Sequence, residues 1–253
     1  MITPTYARHT QKADMTRLLY TLLHVPNLHW IIVEDSETKT DLMVKFIESV
    51  PKSITITHLT KLTPTDDKLR PDDPNWKKPR GVHQRNIALE YLLENHKKEP
   101  KSLIYFMDDD NTYSVRIFSE MRKIPIDKVG VWPVGIVGKL RYEGPICYES
   151  KVIKWFTAWK PERPFPLDMA GFSFHLESLI NHPKARFEQK TPRGYLESDI
   201  LTKLGLSRES AIGLADNCRS VLVWHTRTEK PRMDAEDSLN KQYGRASDLN
   251  IEV

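Results

Sequence analysis

The chain has 253 residues, of which 39% are hydrophobic and 28% are charged. This balance supplies enough apolar surface for one large domain or two interlocked halves, and it excludes a largely disordered chain. The formal net charge of +4 is spread along the chain, so it gives only a weak signal for nucleic-acid binding and suits an anionic small substrate equally well.

Targeting and thiol signals are sparse. No stretch approaches the roughly 20 apolar residues of a membrane-spanning helix, and the first residues show no signal-peptide pattern. The two cysteines, Cys147 and Cys218, exclude a disulfide scaffold and favour two buried thiols, although the sequence does not fix their disulfide state.

The first hundred residues alternate between helical and strand patterns. Apolar residues at helical spacing run from Met15 to Leu23, and a second helical pattern covers residues 42–47. Strand patterns follow each helix, at residues 29–33 and 54–59. Such alternation predicts a parallel sheet with crossover helices.

A long polar and proline-rich loop at residues 61–81 precedes a predicted helix near residues 83–95 and a strand at residues 103–107. Residues 1–113 therefore form a Rossmann-like half. The second half changes character, with short strands predicted at residues 129–134, 152–156, 170–174 and 221–224. The charged tail from Pro231 onward is predicted to be irregular, and it either frays or docks on another subunit.

The strand at residues 103–107 stops at three consecutive carboxylates, Asp108, Asp109 and Asp110. Ligands of open α/β sheets bind beyond the carboxyl ends of strands, and carboxylate oxygens prefer hard cations such as Mg²⁺ or Mn²⁺. A cation at this point would hold a diphosphate. An acidic turn that faces water is the alternative for an isolated triplet.

Several motifs occur together in one known family. They lie at residues 3–8 (TPTYAR), 33–35 (VED), 79–81 (PRG), 84–86 (QRN), 106–113 (FMDDDNTY), 131–135 (VWPVG), 168–172 (DMAGF), 196–198 (LES), 223–231 (VWHTRTEKP) and 251–253 (IEV). In this order they resemble the β-1,3-glucuronyltransferases over nearly the whole chain. Residues 141–145 (RYEGP) and 157–159 (TAW) resemble the branch that acts on the Gal-Gal-Xyl linker of proteoglycans.

The resemblance implies a glycosyltransferase A-type fold, with a UDP-sugar half at residues 1–113, an acceptor half at 114–230 and a tail at 231–253 in a dimer interface. It implies inverting transfer of glucuronic acid from UDP-glucuronic acid to the 3-hydroxyl of a terminal galactose, with Mn²⁺. Lactosamine ends of glycoproteins are the alternative acceptor. The family also implies a homodimer in the Golgi lumen, held by an N-terminal membrane anchor outside this sequence.

The family motifs assign roles to individual residues. Asp110 is the expected metal ligand and Glu197 the expected general base, since inversion needs a carboxylate opposite the leaving group. The residues expected to contact the donor are Tyr6, Asp35, Arg80, Arg85, Asp108, Asp109, Arg193, His225 and Arg227. Taken alone, Glu197 also fits a helix first-turn glutamate, and His225 or Tyr6 fits a structural residue.

The expected acceptor site consists of Glu143, Trp159, Arg163 and Asp168, with carboxylates for galactose hydroxyls and an indole face for the sugar ring. Trp159 also fits a packing role, and Asp168 fits a tight turn. Two departures from the family stand out: Lys160 replaces a glutamate near the acceptor groove, and residues 217–219 lack the sequon found in relatives.

Two other classes compete with this interpretation. A metal-dependent nuclease or phosphotransferase also uses clustered aspartates, but it needs a second carboxylate group for a second metal ion, and the sequence has no further dense acidic cluster at a strand end. We therefore expect no nucleic-acid partner. A lectin-like module would need no base such as Glu197.

Overall fold

A computed structural model describes residues 1–70, 72–74, 77–249 and 251, and residues 71, 75, 76, 250, 252 and 253 lie outside the described part. The first half contains the predicted parallel sheet, in the order β1-β2-β3. Its elements are β1 (Ile2–Thr5), α1 (Gln11–Leu22), β2 (His29–Glu34), α2 (Asp41–Glu48), β3 (Thr55–Thr60) and α3 (Val82–Asn95).

The central strand β2 is buried on both faces, which explains its continuous apolar sequence. Ile31 and Val33 face one core cluster together with Ala88 and Leu89 of α3. The alternate residues of β2, Trp30 and Ile32, pack in a second cluster with apolar residues of α1 and α2. Helices on both faces of the sheet therefore confirm the Rossmann-like prediction.

The predicted strand at residues 103–107 divides into two pairings. Leu103–Ile104 (β4) pairs antiparallel with Phe172–His175 (β10), whereas Phe106 forms a parallel bridge with Ile2. The Ile2 amide donates to the Tyr105 carbonyl oxygen at 2.9 Å. This bridge joins the two sheets and brings the acidic triplet to the edge where β1 and β2 end.

The second half forms a mixed sheet whose described strands follow the order β4-β10-β6-β11-β9-β8-β7-β12-β5. The predicted strand at residues 129–134 is wrong as a single element, because Pro133 has no amide hydrogen and separates two short strands. The remaining elements are β5 (Thr112–Tyr113), α4 (Arg116–Met121), β6 (Val129–Val131), β7 (Val134–Gly135), β8 (Tyr142–Tyr148), β9 (Lys151–Phe156), α5 (Leu176–Asn181), α6 (Leu196–Lys203), β11 (Ala211–Gly213), α7 (Ala215–Cys218) and β12 (Val223–Trp224).

The prediction of an irregular tail is wrong for Asp234–Tyr243, which forms helix α8. Three acidic residues occupy its first turn, where they interact favourably with the helix dipole, and Gly244 adopts a left-handed conformation at its end. None of its residues is buried. Within the described residues, no helix is both long and apolar enough to cross a membrane.

The prediction of two buried thiols is also wrong, because Cys147 in β8 and Cys218 at the end of α7 form a disulfide. The two cysteines are 71 residues apart, and the packing of α7 against β8 brings their Cα atoms to 5.7 Å. Gly213 lies against both sulfur atoms, and a Cβ there would clash with the Sγ atoms of Cys147 and Cys218. Sequence spacing gives no sign of this proximity.

Replacing either cysteine by serine removes a cross-link across a sequence separation of 71 residues. Loop-closure entropy predicts a loss of about 4 kcal/mol in the free energy of unfolding. Denaturant unfolding of Cys147→Ser, Cys218→Ser and the double variant should give the same loss, because each lacks the same bond. Single variants as stable as the wild type, or a double variant much less stable than either single one, would contradict this expectation.

Candidate active site

A cleft of about 650 Å³ opens at the carboxyl ends of β1 and β2, where the acidic triplet also lies. Strand ends at this edge expose backbone and side-chain groups that no sheet pairing uses, which makes it the expected ligand site. The predicted residues that line the cleft are Tyr6, Asp35, Arg80, Arg85, Asp108, Asp109, Asp110, Asp168, Glu197 and His225.

One end of the cleft is formed by Tyr6 and Asp35. The Tyr6 ring follows β1 and is 47% exposed, so one face is accessible to a flat ligand. Asp35 follows β2 and accepts from the Thr63 amide and the Thr63 hydroxyl, both at 2.7 Å. Gln84 in turn donates to the Thr63 hydroxyl at 3.1 Å. Thr63 therefore fixes the orientation of the Asp35 carboxylate.

The three aspartates of the triplet occupy different environments. Asp108 accepts from Arg85 Nη2 at 2.6 Å. Asp109 is buried, and one carboxylate oxygen accepts from the Thr5 hydroxyl at 2.6 Å and from Arg8 at 2.9 Å. Burial raises the pKa of Asp109, and the Arg8 hydrogen bond opposes that shift. Its predicted contact with the donor stays a prediction.

Asp110 is the member of the triplet suited to a cation. Within the described part of the chain its carboxylate has no hydrogen-bond partner, whereas its carbonyl oxygen accepts from Arg17 and Thr226. Burial and the neighbouring Asp108 raise the pKa of Asp110, because both disfavour its negative charge. A divalent ion would relieve this repulsion. The described residues contain no cluster of three or more typical ligands, so water and substrate oxygens would complete the shell.

Glu197 lies in the first turn of α6, on the cleft wall. Burial and the nearby negative charge of Asp168 raise its pKa to about 7. A carboxylate with a pKa near neutrality can accept a proton from a substrate hydroxyl at working pH. Glu197 is therefore both a first-turn glutamate of α6 and a residue of the cleft wall, so the two interpretations of this residue are compatible.

Asp168 and His225 form a pair between Glu197 and the triplet, with 3.2 Å between Asp168 Oδ2 and His225 Nδ1. Burial raises the pKa of Asp168, but the adjacent His225 leaves it lower than usual, because a positive imidazolium favours the ionised carboxylate. The adjacent Asp168 likewise raises the pKa of His225. Asp168, predicted as an acceptor residue, lines the cleft with the predicted donor residues.

The other predicted acceptor residues form a neighbouring cluster. Glu143 and Arg163 are buried and lie 3.3 Å apart, and Arg163 also donates to the carbonyl oxygens of Trp159 and Gly194. Trp159 is 44% exposed, and Arg193 lies over its ring at 5.0 Å. The Gly194 contact connects this cluster to the segment that leads into Glu197. The Glu143–Arg163 ion pair also connects two segments of the chain, so these residues have a structural role in addition to any role in binding.

Arg193 and Arg227 are the predicted donor residues that do not line the cleft, and both are exposed. Three residues that support the site were not predicted: Arg8, Asp14 and Thr63. Arg8 falls in a quoted motif, and Asp14 is a charged residue on the apolar side of α1. An aspartate among the apolar positions of a helix indicates a buried, paired carboxylate, and this was the signal that could have identified Asp14 from the sequence.

The parallel sheet, the mixed sheet beside it and the cleft between them define a glycosyltransferase A-type fold. Staphylococcus aureus TarS (residues 1–349) is a solved structure of similar fold, with a TM-score of 0.55 and 14% identity, covering 89% of this chain and 59% of that one.

The chain belongs to glycosyltransferase family 43, whose sequence profile matches residues 18–229. It is 49% identical to the galactosylgalactosylxylosylprotein 3-beta-glucuronosyltransferase sqv-8 of Caenorhabditis elegans, over 96% of this chain and 68% of that protein. Galactosylgalactosylxylosylprotein 3-beta-glucuronosyltransferase I of Drosophila melanogaster is 47% identical, over 100% of this chain and 82% of its own length.

The raised pKa of Glu197, about 7, predicts a pH dependence of sugar transfer. The ionised base is lost as pH falls through this value, so kcat/KM should fall about tenfold per pH unit below it. Asp168→Asn removes the nearby negative charge, and the acidic limb should then move to lower pH. Rate profiles of both proteins measure this, and a limb that stays in place or moves to higher pH in the variant would contradict the assignment.

Proposed function

We propose that this protein transfers glucuronic acid from UDP-glucuronic acid to the 3-hydroxyl of the terminal galactose of a Gal-Gal-Xyl linker on a proteoglycan core protein. The names of the relatives support this substrate pair. The main observation behind the proposal is that one cleft contains both the acidic triplet and Glu197, a carboxylate whose pKa is raised to about 7. Binding alone would need no such base.

The reaction is a direct displacement with inversion at the anomeric carbon. Glu197 takes the proton of the attacking galactose hydroxyl, a bond forms between that oxygen and the sugar carbon, and the bond to UDP breaks. Glu197 and Asp110 both line the cleft. The base and the group proposed to hold the leaving diphosphate can therefore serve the same bound donor sugar. Burial, together with the charge of Asp168, keeps the Glu197 pKa high enough for proton transfer near neutral pH.

The leaving diphosphate carries negative charge that the cleft must accommodate. Arg80, Arg85 and His225 provide donors on its wall. Arg193 and Arg227 lie outside this lining, and their part in donor binding rests on the family motifs. Tyr6 and Asp35 would hold the uracil ring through stacking and an imide hydrogen bond. A divalent ion at Asp110, proposed as Mn²⁺, supplies charge neutralisation of the diphosphate when bound.

Other acceptors and reactions have less support. An enzyme that transfers glucuronic acid to lactosamine ends could use the same donor site. The names of the similar proteins, however, refer to the Gal-Gal-Xyl linker. A two-metal nuclease needs a second group of ligands, and the sequence has no further dense acidic cluster at a strand end.

We also propose that the protein acts in the Golgi lumen as the catalytic part of a type II membrane protein, and that it forms a homodimer through the tail at residues 231–253. Exposed Leu239 and Tyr243 on the α8 segment support a subunit contact. Sedimentation of a chain that ends before Pro231 tests the dimer: a monomer is expected, and an unchanged dimer would place the interface elsewhere.

Glu197→Gln tests the base directly. Transfer to a Gal-Gal-Xyl mimic should fall about 10²- to 10⁴-fold, because the amide cannot accept the hydroxyl proton. UDP binding should persist. Glu177→Gln is the matched control, since Glu177 occupies the first turn of α5 and lies outside the cleft. Measurement of UDP release by both variants decides the matter, and undiminished transfer by Glu197→Gln would remove this residue from the mechanism.

Asp110→Asn tests the cation site. Loss of the carboxylate charge should weaken Mn²⁺-dependent UDP binding by about 100-fold, since a metal ion supplies several kcal/mol of charge stabilisation. Calorimetry of UDP with and without Mn²⁺ measures this effect. Asp41→Asn, on the exposed first turn of α2, serves as the control. The assignment fails if the Asp110 variant keeps the Mn²⁺ dependence of the wild type.

A further inference from the structure

A buried carboxylate beneath the cleft takes no part in the proposed chemistry. Asp14 is fully buried and belongs to the buried side of α1, as do Met15 and Leu18. It accepts hydrogen bonds from Arg8 Nη2 at 2.7 Å, from Arg17 Nη2 at 3.1 Å and from the Thr228 hydroxyl. A buried charge is costly unless such partners surround it.

Arg8 connects Asp14 to two parts of the donor site. Its guanidinium donates through Nη1 to Asp109 at 2.9 Å and lies 4.8 Å from the centre of the Tyr6 ring. The planar fork of arginine can bind two carboxylates at fixed angles, which a lysine ammonium does not reproduce. The orientation of Tyr6 and that of Asp109 are thus set by one side chain.

The other two partners reach different segments. Arg17 donates to the Asp110 carbonyl oxygen at 3.1 Å, so it contacts the backbone of the proposed metal ligand. Thr228 is three residues beyond His225 and one beyond Arg227, and its hydroxyl attaches that segment to α1. Residues far apart in sequence therefore meet at one carboxylate.

We propose that Asp14, with Arg8, Arg17 and Thr228, forms a positioning cluster. This cluster fixes Tyr6, the acidic triplet and residues 223–230 relative to one another. This inference rests on the proposed donor site and deepens it. Asp14 is a positioning residue, because it contacts the groups assigned to the donor only through its partners. The members of the cluster contact Tyr6, Asp109 and the Asp110 backbone, which are assigned to the donor and the metal, so its effect should fall mainly on donor affinity.

Thr228→Val tests the cluster with a nearly isosteric change that removes one hydroxyl. The dissociation constant of UDP and the KM for the donor should rise about tenfold, the loss expected for a hydrogen bond to a charged group. The kcat value should change far less, and thermal unfolding should show that the variant is folded at the assay temperature. Hydrogen exchange of residues 223–230 should become faster. Thr16→Val is the control, because that hydroxyl donates only to Lys12 of its own helix.

Arg8→Lys and Arg8→Met provide the second test, on folded protein verified by thermal unfolding. If Arg8 acts by positioning, Arg8→Lys should bind UDP about as weakly as Arg8→Met, because the lysine ammonium cannot replace the planar guanidinium fork. Full rescue by lysine would reduce the role to charge and overturn the proposal. Unchanged UDP affinity and unchanged exchange at residues 223–230 in Thr228→Val would overturn it as well. Failure of the wild type to bind UDP would instead refute the proposed function, and the exchange measurement alone would then decide the cluster.

Discussion

The repulsion among carboxylates gathered in one cleft is the constraint on which the rest of the structure depends. Asp108, Asp109, Asp110, Asp168 and Glu197 line one cleft. Burial and the charge of Asp108 raise the pKa of Asp110, and burial and the charge of Asp168 raise that of Glu197. Arg85, Arg8 and His225 each offset one aspartate. Within the described residues, Asp110 and Glu197 lack such an ion-pair partner, and these are the two groups with proposed roles as metal ligand and base.

The fold explains how these charges come together. The bridge between Ile2 and Phe106 places the triplet beside the ends of β1 and β2, and β10 begins just after the turn that holds Asp168. The first half thus supplies the end of the cleft that holds Tyr6 and Asp35, and the second half supplies Glu197 and His225. Because both core clusters contain residues from both halves, the two walls of the cleft are held by one continuous interior.

Much of this arrangement was predictable, because its signals are local. An apolar run that ends in three aspartates marks a strand end, and the family motifs name Glu197 and His225. Contacts set by tertiary packing were not predictable. Asp14 meets Thr228 across 214 positions, and Cys147 meets Cys218 across 71, and neither distance can be inferred from spacing. The tail was misjudged for a different reason: its low apolar content hid the acidic first turn and the terminal glycine of α8.

The most direct measurement is a crystal structure of the protein soaked with UDP and Mn²⁺. The account predicts a manganese ion held by Asp110 beside the diphosphate, with uracil against Tyr6 and Glu197 open to the sugar position. Nucleotide or metal bound elsewhere, or a metal held without Asp110, would contradict it.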